Sequence, residues 1–112
     1  MDFKTLSSIA QLDEIDAKSK TKKQIIFKHS TRCSVSAFAK KVLLSEFSDE
    51  MDTNFDIYYL DLLNYREVSN KIASHYGVHH ESPQILIISD GKCVYDASHN
   101  DVSLVTALEA VN

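Results

Sequence analysis

Three short apolar runs constrain this chain most: QIIFKH at 24–29, FDIYYLDL at 55–62 and QILII at 84–88. Each has strand length, and stretches with helical spacing separate them. Runs such as IYYL and ILII are apolar at consecutive positions, so as strands they present apolar side chains on both faces. Strands of that kind belong in the centre of a sheet covered by helices on either side.

The segments between them supply those helices. Leu6, Ile9, Leu12 and Ile15 recur every three residues, and Ser8 with Gln11 has the spacing of a capping box. The Lys/Ser/Thr stretch 18–23 reads as a connector. Val35, Phe38, Ala39 and Val42 follow the i, i+3, i+4, i+7 pattern of an amphipathic helix running from residue 34 to about Phe47. Val68, Ile72 and Tyr76 form a third stripe, with Gly77 placed as its C-cap. Asp90-Gly91 predicts a tight turn into a fourth strand, KCVYD at 92–96, and hence a β-hairpin. Leu104, Val105, Leu108 and Val111 predict a closing helix capped near Asn100 or Asp101. The order α-β-α-β-α-β-β-α requires right-handed crossovers and one antiparallel strand. The expected fold class is therefore α/β: a thioredoxin-like fold, with a four-stranded mixed sheet flanked by helices and an extra N-terminal helix. At 112 residues the chain is expected to be a single domain over 1–112, large enough for a core without disulfides or structural metal.

Composition narrows the function classes. Apolar residues make up 44% and charged residues 25%, with a net charge of −4 and no basic block. Nucleic acid and anionic membrane are thereby disfavoured as partners, since phosphate neutralisation needs concentrated positive charge. MDFKTLSSIAQLDE carries acids and lacks the apolar run of a signal peptide. No segment approaches the ~18 apolar residues of a membrane span. Two cysteines, 33 and 93, in such a chain point to free thiols in a reducing compartment, and the expected localisation is cytoplasmic.

The chemistry concentrates in FKHSTRCSVSAFAKKV, residues 27–42. Cys33 falls between the first long strand and the helix beginning near 34. Unpaired N–H groups and the positive end of a helix dipole converge at such a junction and stabilise a thiolate. Arg32 can add positive charge, and Thr31 can turn its hydroxyl toward the thiol or cap the helix. The alternative is a Cys33 that merely caps the helix or packs as a small hydrophobe. Three residues on stands Ser36, giving C-x-x-S where a dithiol enzyme has its second cysteine. A serine hydroxyl can donate to the thiolate but cannot resolve a mixed disulfide, so a further thiol must do so.

These residues, together with YREVSN, HESPQ and DASH, resemble the YtxJ family, thioredoxin-like proteins described as bacillithiol-system redox proteins or monothiol bacilliredoxins. The resemblance covers nearly the whole chain. It implies an enzyme, a reductase that removes bacillithiol from protein mixed disulfides with Cys33 as nucleophile. It further implies S-thiolated client proteins and a reducing thiol or reductase as partners. No tightly bound cofactor is implied, only a low-molecular-weight thiol (bacillithiol) as co-substrate. Members usually carry proline after the motif cysteine, where this chain has Ser34. The resemblance also puts Ser82-Pro83 where thioredoxin-like proteins hold a cis-proline beside the reactive cysteine. In that place Ser82 could pair with an extended substrate strand. It directs attention to Ser98 and His99 as well. His80 or His99 could line the Cys33 pocket as polar partner or proton donor to a leaving thiolate. His79, His80 and His99 lack the ligand spacing of a zinc site, so no metal is expected. Cys93 reads as packing in the hairpin.

Two other readings stay open. RCSVS resembles the R-C-S-x-S loop of arsenate reductases, although only Lys40 and Lys41 follow Ser36 to hold an oxyanion. A non-catalytic stress or interaction module, with Cys33 as a redox sensor, is the third.

Overall fold

The computed structural model describes residues 3–30, 34–46 and 55–111. Five strands form one mixed sheet: β1 (Lys4–Thr5), β2 (Lys23–His29), β3 (Phe55–Asp61), β4 (Gln84–Ser89) and β5 (Lys92–Ser98). Their spatial order is β1-β3-β2-β4-β5. β3 runs parallel to both β1 and β2, whereas β4 is antiparallel to β2 and β5. Among the described residues four helices cover the faces: α1 (Gln11–Lys18), α2 (Ser34–Glu46), α3 (Arg66–Tyr76) and α4 (Leu104–Ala110).

The apolar runs sit where double-sided burial predicts. Along β2, Ile25 and Phe27 enter the core beneath Ala39 and Leu43 of α2 and Leu104 and Ala107 of α4. Ile26 points the other way, into a second core with Leu12 and Ile15 of α1 and Val68 and Ile72 of α3. Burying each such side chain is worth about 1.5–3 kcal/mol, so the central strands are held from both sides. Asp16 ties α1 to α3, accepting a bond from the Tyr76 hydroxyl at 2.8 Å and meeting His75 Nε2 at 2.6 Å.

Four expectations need correction. The sheet has a fifth strand, because Lys4 and Thr5 pair with Tyr58 and Tyr59 and the Leu6 N–H continues to the Tyr59 carbonyl. The first helix consequently begins at Gln11. Its side-chain carbonyl accepts from the N–H groups of Ser7 and Ser8, half of the expected capping box, while Ile9 is left exposed. In α2 the buried face runs through Ala39 and Leu43, and Phe38 is 63% exposed. The cap of α4 is neither Asn100 nor Asp101, which lie in a short 3-10 turn at His99–Asp101. Ser103 caps it, accepting from the Thr106 N–H at 3.2 Å.

Both predicted turn devices are present. Gly77 closes α3 in the left-handed region at φ 67°, and its N–H reaches the Ala73 carbonyl. Asp90 and Gly91 both have positive φ, 52° and 75°, as a two-residue hairpin of the I′ kind requires. Ser19 holds that turn from below, taking the Gly91 N–H at 2.8 Å on its hydroxyl and the Asp90 N–H at 2.9 Å on its carbonyl. β5 continues to Ser98, two residues past its expected end, with a bulge at Val94 where Ile87 faces Tyr95 and Ile88 faces Cys93.

Candidate functional site

The carboxyl end of β2, the start of α2 and the segment entering β4 frame the candidate site. Thr31, Arg32 and Cys33 lie outside the described residues, and so does the expectation that Ser82 faces Cys33. α2 begins at Ser34, so the C-x-x-S motif leads into the helix as expected and Ser36 belongs to its first turn.

The Ser82-Pro83 peptide bond is cis. Pro83 is buried, and its carbonyl accepts the His99 N–H at 2.9 Å. Ser98, the last residue of β5, is paired with Gln84, the first of β4. The structure therefore brings Pro83, Ser98 and His99 together. His99 adopts a positive φ of 55° at the turn after β5. Its Nε2 lies 3.3 Å from Glu81, whose other oxygen is 3.7 Å from His79 Nε2. His79 and His80 occupy the loop between α3 and β4. His79 points into solvent, and its neighbour turns inward.

His80 Nδ1 stands 3.4 Å from both Lys28 Nζ and Ser69 Oγ. Burial is the main cause that holds the His80 ring below the usual imidazole range, followed by the charges of Lys28 and Arg66. Lys28 itself is fully buried, which lowers its pKa from 10.5 to about 8. Lys28 and Glu81 are not among the residues expected at this site. A lysine inside a strand otherwise apolar on both faces is the legible signal for the first; Glu81 lies within HESPQ, but nothing local marks its contact with His99.

On the opposite face of β2, His29 is 5% exposed and packs against the rings of Phe27 and Tyr59 at 5.7 and 5.4 Å. With Ala37, Lys40, Lys41, Leu44 and Tyr59 it lines a groove of about 420 Å³ along α2. Lys40 Nζ lies 4.8 Å above the Tyr59 ring. Burial, then the charge of Asp61, raises the Tyr59 hydroxyl above its ordinary pKa. Cys93 packs against the α1/α3 core, where burial pushes its thiol up and away from reactivity. Among the described residues no three His, Cys, Asp or Glu side chains group as a metal ion would require. Nor is any described helix long and apolar enough to cross a membrane.

This architecture is that of the thioredoxin fold. A Fasciola hepatica thioredoxin superposes with a TM-score of 0.73 at 17% identity, over 97% of this chain and 96% of that one. Thioredoxin f2 of Chlamydomonas reinhardtii does so with 0.71 at 10%, over 96% and 93%. The structure of a candidate oxidoreductase with a thioredoxin fold reaches 0.82 at 32% identity, over 97% and 93%. The family model described as monothiol bacilliredoxin BrxC matches residues 4–106, and the chain belongs to that family. Its function is accordingly a thiol redox function.

Proposed function

We propose that this protein is a monothiol thiol–disulfide oxidoreductase acting on protein mixed disulfides with a bacillithiol-like thiol, as the YtxJ resemblance implies. The Cys33 thiolate attacks the small-thiol sulfur of the mixed disulfide. The client leaves as a thiolate and takes up a proton, and the small thiol is now disulfide-bonded to Cys33. Ser36 donates a hydrogen bond to the attacking sulfur but has no thiol with which to resolve that disulfide. A second small thiol, or a reductase, therefore regenerates Cys33. Arg32 and Thr31 support the thiolate, and Ser82, Pro83, His80, Ser98 and His99 form the substrate side. The site needs no tightly bound cofactor, and the setting is cytoplasmic, with S-thiolated clients as partners.

The family match over residues 4–106 carries this reading. In the sequence Cys33 immediately precedes Ser34, where α2 begins, and this supports it, because a helix start favours the thiolate. The test is incubation with a bacillithiolated or glutathionylated model protein. Release of the client thiol with the small thiol captured on Cys33, and complete loss in Cys33→Ser, is expected. Undiminished release in Cys33→Ser would refute the proposal.

A further inference from the structure

Lys28 is an unusual group to find at zero exposure on a central strand. Among the described residues no carboxylate lies within ion-pair distance of it. Its ammonium instead donates to the Ser69 carbonyl of α3 at 3.3 Å and meets His80 Nδ1 at 3.4 Å. An ammonium has three donors and no acceptor. The ring nitrogen that faces it must present a lone pair, and the imidazole proton must sit on Nε2. The Ser69 hydroxyl, at the same distance from Nδ1, can add a second donor to that lone pair.

We infer that Lys28 is a positioning residue for the exchange site: it fixes His80 as the neutral Nε2–H tautomer, so that the segment entering Pro83 offers substrate a hydrogen-bond donor that keeps its proton. The positioning role rests on the exchange reading; the tautomer does not. A neutral imidazole is far too weak an acid to protonate a departing thiolate, so His80 binds an oxygen acceptor of the client peptide or small thiol. The client's proton comes from elsewhere. The groups around the ring agree with this assignment. Burial, Lys28 of β2, Arg66 of α3 and the neighbouring His79 all oppose a second ring proton, and Glu81 alone favours one. Lys28 stays charged at neutral pH, since burial brings it only to about 8.

Long-range proton–nitrogen NMR on the full chain, labelled at histidine, reads the tautomer without substrate. Through neutral pH, His80 should show an unprotonated Nδ1 and a protonated Nε2. In Lys28→Met, which keeps the length of the side chain and removes the donors, an Nδ1–H population should appear and His80 should protonate at higher pH. The same variant should raise KM for an S-thiolated protein about fivefold, the size of one lost hydrogen bond, with kcat little changed. Protonated Nδ1 in the wild type, or unchanged His80 spectra in Lys28→Met, would overturn the Lys28 assignment. A kcat loss without a KM change would overturn the role given to His80. An inactive wild type with the tautomer in place would instead refute the exchange reading.

Discussion

Asp56 shows how one side chain can gather three segments. It is the second residue of β3 and accepts from Gln24 of β2 at 2.9 Å, Lys22 of the connector at 3.2 Å and Lys4 of β1 at 3.1 Å. Burial by itself would raise its pKa, but these hydrogen bonds and the charge of Lys4 outweigh it and hold the carboxyl at about 2. A carboxyl depressed in the folded state stabilises fully above its ordinary value of 3.8, and that contribution is lost as pH falls through about 2. Melting temperature should therefore drop more steeply between pH 4 and pH 2 in the wild type than in Asp56→Asn; parallel curves would contradict this. The same scale shows what sequence could and could not reveal. Cys33 stood out because a strand, a polar gap and a helix period met at it. His80 was a plausible site residue, but its tautomer depends on Lys28, 52 positions earlier, and no local pattern encodes that pairing.

Among the elements, α2 and α4 share a core and are further tied by one carboxylate. Glu46, at the end of α2, accepts from the Leu104 N–H and the Ser103 hydroxyl, both at 2.8 Å. It thus satisfies an orphan donor at the start of α4 and places negative charge at the positive end of that helix. Glu46→Ala should cost about 1–2 kcal/mol in urea unfolding, with Glu46→Gln recovering part of it. A change below a few tenths would remove the carboxylate from this role. Element types were legible throughout, since each long segment has one clear period. Boundaries were less so. The α4 cap is shared by Ser103 and a residue 58 positions before Leu104, and β1 exists only because β3 offers its edge to two exposed residues. Neither signal is local.

For the molecule as a whole, β2 is the axis. Paired with β3 on one side and β4 on the other, it sends Ile25 and Phe27 into one core and Ile26 into the second. Phe27 is fully buried, and Phe27→Ala should cost about 3–5 kcal/mol. That is a large part of the ~5–15 kcal/mol that domains possess, so the variant should unfold at markedly lower denaturant. A midpoint shift of under about 1 kcal/mol would mean that the helices repack around the gap. The mixed topology was readable because only covered central strands tolerate QIIF, IYYL and ILII, and because Asp90-Gly91 forced a reversal.

The rims of the sheet remain. One is β1, two residues long and carrying Lys4; the other is β5, whose exposed positions are Lys92, Val94 and Asp96, with the bulge at Val94. Short length, charge and a kink are the features that stop a foreign strand from zipping onto an open backbone. Crowded solutions of this protein should accordingly resist fibril growth from these two edges.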